Sequence, residues 1–193
     1  MTEKQLISQL QKGPEKEKAF RILIQRYQER LYWHIRKIVL THEDANDIIQ
    51  DCFIKIYKNI HSFRGDSSLY SWMYRMGTNE SLNFLKRQAR ERKVSYEEFL
   101  HDRAESLQED ILYDGDRIQL LLQKAIAKLP DKQRLVFNMR YFEELKYSEI
   151  SEILEVTEGG LKASYHHAVS KIKDYFQKED WTDKVLELKI DES

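Results

Sequence analysis

The chain places its apolar residues at helical intervals, and the clearest stripe follows Thr41, where Ala45, Ile48, Ile49, Cys52, Phe53 and Ile56 fall at i, i+3, i+4, i+7, i+8 and i+11. Thr41 is placed to cap this helix, and Glu43 and Asp44 lie in its first turn, where the helix dipole favours negative charge. The opposite face carries Asp44, Asp47, Gln50, Asp51 and Lys55. Residues 20–40 form an amphipathic helix before it. Residues 62–68, Ser-Phe-Arg-Gly-Asp-Ser-Ser, read as a loop, because Gly, Ser and Asp oppose helix. A further helix starts near Leu69 and is expected to bury Leu69, Trp72, Met73, Met76 and Phe84, with Arg75, Asn79 and Asn83 four residues apart on another face. For Tyr70 and Tyr74 the pattern leaves packing and base stacking equally open.

A second body opens with the stripe Ile118, Leu121, Leu122, Ala125, Ile126 and Leu129, and Pro130 suits the first position of the next helix, where its missing N–H is no loss. A short helix over 148–154, a break at Glu155-Val156-Thr157 and a long helix to about Phe176 give the outline of a helix-turn-helix. Leu161, Tyr165, Ala168, Val169, Ile172 and Phe176 face the core of that unit; Gly159, Ala163, His166, His167 and Ser170 face away.

Composition agrees with an all-helical chain, since only 6 Gly and 2 Pro punctuate 193 residues. With no long apolar run to lead or span, a cytoplasmic location is expected. The single cysteine, Cys52, allows no internal disulfide and reads as a small buried apolar residue. The formal net charge of −1 hides an uneven distribution: residues 95–116 hold eight acids against one base, and residues 177–193 hold six acids against three lysines. The rest is therefore basic, including Lys86, Arg87 and three more bases against one acid in 86–93, a run that suits a solvated helix end or a nucleic-acid strand. The 95–116 stretch reads as an acidic connection between two basic bodies.

Several ordered motifs carry a family resemblance. Asp44 to Lys58, Asp-Ala-Asn-Asp-Ile-Ile-Gln-Asp-Cys-Phe-Ile-Lys-Ile-Tyr-Lys, resembles the polymerase-binding helix of the extracytoplasmic-function sigma factors. Phe63-Arg64-Gly65 and the helix containing 72–79 resemble the part of that family that engages the minus-ten element. Residues 129–137, 147–154 and 159–168 resemble its minus-thirty-five-binding domain, so the likeness runs over about residues 15–176.

The resemblance implies an all-α fold of two small helical domains joined by an acidic linker: a region 2 domain (1–94), the linker (95–116), a region 4 helix-turn-helix domain (117–177) and a tail (178–193). It implies a sigma factor that directs promoter recognition, DNA melting and transcription initiation. Asp44, Asp47, Gln50, Asp51 and Lys55 would dock on core RNA polymerase, at the clamp of the largest subunit, with a second contact between the protein and the flap of the second subunit. Phe63, Arg64, Ser67, Ser68, Tyr70, Arg75, Asn79, Asn83, Lys86 and Arg87 would engage the minus-ten element, the loop holding an unstacked base. Thr157, Glu158, Gly159, Gly160, Lys162, Ser164, His166 and His167 would face the minus-thirty-five element. The linker would thread near the polymerase active-site channel, and an anti-sigma protein would be a further partner.

Two positions depart from the family. Glu155 stands where it often has Gly, so a different turn geometry is expected, because a non-glycine residue at positive φ costs of order 1 kcal/mol. Ala163-Ser164 stand where it often has Ser-Arg, which removes a strong phosphate or guanine contact and points to reading by backbone approach and DNA shape. Enzyme chemistry finds little support: Glu98-x-x-His101 is a single copy of a spacing that a di-iron site needs twice, and the adjacent His166 and His167 are about 100° apart on a helix. No cofactor, metal, catalytic residue or small-molecule substrate is expected. The alternative is a helix-turn-helix repressor acting without polymerase, which leaves the 44–58 helix face without a purpose.

Overall fold

The computed structural model describes residues 1–106 and 117–178. Its elements in chain order are α1 (Glu3–Lys12), α2 (Lys16–Val39), α3 (His42–Asn59), a 3-10 turn (Ile60–Ser62), α4 (Leu69–Arg92), α5 (Tyr96–Glu105), α6 (Arg117–Ala127), α7 (Asp131–Tyr141), α8 (Tyr147–Leu154) and α9 (Glu158–Lys178). Among the described residues there is no strand, so the all-α expectation holds. No helix among them is long and apolar enough to cross a membrane. The chain divides into two compact units, one of Met1–Leu85 with Glu152–Leu154, the other of Lys86–Ser151 with Glu155–Ser193.

In the first unit all six stripe residues of α3 are buried, and Thr41 caps the helix by accepting from the Asp44 amide. Cys52 is among them with no exposed surface, and burial, with Glu80 adding to it against Lys55, pushes its thiol up to about 12. A side chain at Gly77 would begin 3.0 Å from Leu31 Cδ1 and close to Ile35, so a glycine lets the α4 backbone approach α2. The opening residues, for which no element is predicted, fold as α1. Thr2 and Gln5 form its capping box, and Leu6 and Leu10 are fully buried.

Three expectations for α4 need correction. Trp72 and Met76 are only half-buried, as is Phe84, while Tyr74 is 2% exposed and takes the core position. The buried positions Leu69, Met73, Tyr74, Gly77, Thr78, Ser81 and Leu85 show a stripe rotated towards small polar residues. Thr78 and Ser81 are admitted because their hydroxyls donate to the Tyr74 and Gly77 carbonyls at 2.8 Å each.

The second unit buries Leu122, Ala125, Ile126 and Leu129 of the expected stripe against Phe137, Ala168, Val169, Ile172 and Phe176. Pro130 is the N-cap of α7, one position before the predicted one. The acidic stretch after Ser95 is not wholly a connection, because Tyr96–Glu105 is a helix that buries Phe99, Leu100 and Ala104. Its charges concealed this: Ser95 caps it at 3.1 Å from the Glu98 amide, and Glu97 and Glu98 sit where the dipole welcomes them. Tyr96 donates to Asp131 at 2.9 Å, and the wholly buried Arg134 donates to Asp131 at 2.8 Å and to the Tyr96 oxygen at 3.1 Å. A buried guanidinium needs such partners, since removing one would leave its charge uncompensated. Burial raises the Tyr96 hydroxyl to about 12, so it stays a donor at neutral pH.

Candidate functional site

On α3 the packing of the apolar stripe fixes what the other face offers. Asp47, Gln50, Asp51 and Lys55 are exposed and Asp44 is half-buried, where it accepts from the Thr41 hydroxyl. Lys55 is paired with Glu80 of α4, so the outward charge is dominated by Asp47 and Asp51. Beside them an open groove of about 760 Å³ runs between α2 and α3, lined by Phe20, Ile24, Phe53 and Ile54 among others, with Gln50 at its border. Ile54 is 51% exposed. Sequence reasoning missed it; the signal was an isoleucine outside the buried stripe, between Gln50 and Lys58 on the polar side.

The loop after the 3-10 turn contains Gly65 at φ +82°, a left-handed conformation that side chains rarely adopt. Arg64 is exposed and Ser67 half-buried. Phe63, expected to face DNA, is 7% exposed and packs on Trp72 with ring centres 5.4 Å apart. It anchors the loop from inside. Ser68 is exposed, but its hydroxyl accepts from the Ser71 amide at 3.0 Å, which caps the start of α4. Tyr70 is half-buried, 4.0 Å from Tyr74 between ring centres, with the Arg30 guanidinium 4.9 Å from its ring. Arg75 is half-buried; Asn79 and Asn83 are exposed along α4, followed by exposed Lys86 and Arg87. Lys86 lies 3.8 Å from Asp131, and Arg87 lies 3.9 Å from Glu91.

In the second unit α8 and α9 are joined by a turn in which Glu155 adopts φ 56°, ψ 40°. The left-handed geometry is kept without a glycine, contrary to the expected change of shape, at a cost of order 1 kcal/mol. Thr157, Glu158 and Gly159 are exposed, and Thr157 Oγ1 accepts from the Gly160 amide at 3.4 Å. Nothing lies within 4 Å of where a Gly159 side chain would start, so that backbone is open to a ligand. Lys162, Ala163, His166 and His167 are exposed; the two imidazoles are 6.1 Å apart. Ser164 is 8% exposed and its hydroxyl donates to the Gly160 carbonyl at 2.7 Å, so it braces the helix rather than facing outward. It belongs to the inward stripe with Leu161 and Ala168, three and four residues away.

These features coincide with known proteins in the same order along the chain. Residues 23–91 match the family model for sigma-70 region 2, and residues 119–172 match that for sigma-70 region 4, together more than half of the chain. The ECF RNA polymerase sigma-E factor of Haemophilus influenzae is 28% identical over 186 residues, covering 92% of this chain and 96% of the relative. The chain belongs to the extracytoplasmic-function sigma factors of the sigma-70 family. This sigma factor is also 29% identical to the sigma-E factor of Escherichia coli K12 over 185 residues, with 92% and 95% coverage. Among solved structures, its fold resembles CnrH in complex with the cytosolic domain of CnrY (TM-score 0.65, 18% identity, 92% of this chain and 98% of that one). It also resembles the sigma factor RpoE bound to the anti-sigma factor NepR from Bartonella quintana (TM-score 0.62, 17% identity, 83% and 98%).

Proposed function

We propose that this sigma factor docks on core RNA polymerase through the exposed face of α3, with Asp47, Gln50 and Asp51 at its centre and Asp44 and Lys55 at its edges. The observation that carries the assignment is the division of α3 into a wholly buried apolar stripe and a polar face with two exposed acids, Asp47 and Asp51, beside an apolar groove. Charge steers and orients such an encounter, while apolar burial at Ile54 holds it. The partner is the clamp of the largest polymerase subunit, and the second unit engages the flap of the second subunit. We assign residues 1–94 to the polymerase and minus-ten functions, 117–177 to the minus-thirty-five function and 178–193 to a tail; of the expected connection 95–116, Tyr96–Glu105 is a packed helix, and residues 107–116 and 179–193 lie outside the described residues.

At the promoter, the exposed groups Arg64, Asn79, Asn83, Lys86 and Arg87, with the half-buried Ser67, Tyr70 and Arg75, contact the minus-ten strand. Phe63 and Ser68 support the loop that holds the unstacked base. Flipping a base costs a few kcal/mol, which a shaped pocket returns by stacking and edge hydrogen bonds. The minus-thirty-five element meets the start of α9, where the open backbone at Gly159 and the helix dipole favour phosphate, Gly160 is capped by Thr157, and Lys162, His166 and His167 line the approach. Ser164 supports this helix from within. An anti-sigma protein that masks these faces is the expected regulator, in keeping with the partner in the Bartonella complex.

The test is transcription in vitro with core polymerase on a library of genomic fragments, comparing the native chain with an Asp47→Ala/Asp51→Arg variant. New starts that share two upstream elements are expected, and the variant should lose them with at least a tenfold fall in core affinity. Duplex binding with no core association and no new starts would replace this reading by a repressor, which the family relationship does not favour.

A further inference from the structure

Helix α1 precedes the residues matched to region 2, which begin at 23, and none of the interfaces above uses it. Its inward residues divide between two tasks. Leu6 and Leu10 supply the packing, with no exposed surface on either. The Gln11 carboxamide nitrogen instead donates to two carbonyls, Ile60 at 3.1 Å and Phe63 at 2.7 Å, one at each end of the 3-10 turn that leads into the loop. A side-chain amide has two N–H donors, and both carbonyls draw on this one group. At the far end of the loop, Glu3 Oε1 lies 3.5 Å from the Leu69 amide, one of the α4 donors that no helical carbonyl can reach. Its other oxygen accepts from the Tyr27 hydroxyl at 3.4 Å. Between these anchors Gly65 is in the left-handed region with open space around it and Arg64 and Asp66 are exposed, while Ser68 is tied locally to the start of α4 by accepting from the Ser71 amide.

We propose that α1 sets the shape of the promoter-reading loop, with Gln11 and Glu3 as positioning residues that hold its two ends. The inference rests on the assignment of residues 63–70 to the minus-ten element. A pocket for an extruded base must be formed before the base arrives, or the cost of ordering the loop is subtracted from the energy that opens the duplex. Gln11 fixes where the loop leaves α3 and Glu3 fixes where it enters α4, so their loss leaves the reading groups present but misplaced.

The experiment uses holoenzyme assembled from core polymerase and the full chain, reading core affinity, the rate of promoter opening, and the ratio of opening rates on templates with the matched base and with a changed base at the position held by the loop. Gln11→Leu, which removes both donors, is expected to slow opening on the matched template about tenfold. It should also drive the base ratio towards one while core affinity stays within twofold. Gln11→Lys, which keeps donors near the carbonyls, should recover most of the ratio, and Glu3→Gln should lower it by about twofold. A base ratio unchanged in both Gln11→Leu and Glu3→Gln overturns the proposal, whatever happens to the melting temperature. A parallel Arg64→Ala/Ser67→Ala variant separates the two levels: if it too leaves opening and the ratio unchanged, the loop does not read the promoter and the proposal falls with that assignment. If it lowers them while Gln11→Leu does not, only the role of α1 is lost.

Discussion

In the first unit the loop at 63–68 is held at its two ends by Gln11 and Glu3, more than fifty residues before it, together with Trp72 and the Ser68 cap after it, and its one left-handed residue is a glycine. In the second unit the α8–α9 turn is held by its neighbours, Thr157 on Gly160 and Ser164 on the Gly160 carbonyl, and its left-handed residue is a glutamate. The difference matters for function. A reading helix brings its own hydrogen bonds and needs only a turn to aim it, so it tolerates a strained residue. A loop that must capture a base has no internal ladder, so its conformation depends on what the rest of the unit supplies.

The sharpest way to break this comparison is Gly65→Ala. No atom lies within 4 Å of the new methyl, so the whole penalty, about 1–2 kcal/mol, is backbone strain at φ +82°. Promoter opening should fall about tenfold with core affinity unchanged; opening at the native rate would show that loop shape does not matter. The converse change, Glu155→Gly, relieves strain at φ 56° and should stabilise the second unit by about 0.5–1 kcal/mol, seen as a higher midpoint in thermal unfolding with duplex binding retained. A lower midpoint would mean that the glutamate earns its place through a contact stronger than the strain.

The smallest effect tests how much the second unit draws on the acidic stretch. Glu105 accepts from Lys124 at 2.7 Å, and that hydrogen bond holds its carboxyl below the usual carboxylate range. Both residues lie at the α5–α6 contact, Lys124 almost buried and Glu105 about half-exposed. Glu105→Gln should cost about 0.5 kcal/mol, as expected for a partly screened pair. Because the folded carboxyl ionises at lower pH than the unfolded one, its stabilisation is complete above the ordinary carboxylate value. It disappears as the pH falls through the lowered value. The difference in melting midpoint between native chain and variant should therefore be steady near neutrality and vanish in acid. A difference that persists there would point to packing instead of charge.

What the sequence made legible follows the same division between local and distant support. The stripe of α3, the cap at Thr41 and the short-helix, turn, long-helix order of 147–178 are set by residues a few positions apart, and all appear where their spacing places them. Ser164 lies three residues from Leu161 and so on the inward face, a local signal that outweighs the family's arginine at that position. Phe63 was misplaced because a loop position suggested exposure, and only Trp72, nine residues on, shows otherwise. Helix α5 was hidden by its charge count, and α1 by its shortness and its partners some fifty residues away. Such contacts leave no periodic trace in the chain.

The burial of Cys52 has a practical consequence. It is the only thiol in the chain, it is fully enclosed by the α3 packing, and with its thiol at about 12 almost none of it is thiolate at neutral pH. Thiol-directed dyes should pass it by while the protein is folded. A cysteine introduced on the exposed surface of α9, by Ser170→Cys for example, would then be the single labelled position, and a fluorophore there could report promoter engagement with Cys52 left in place.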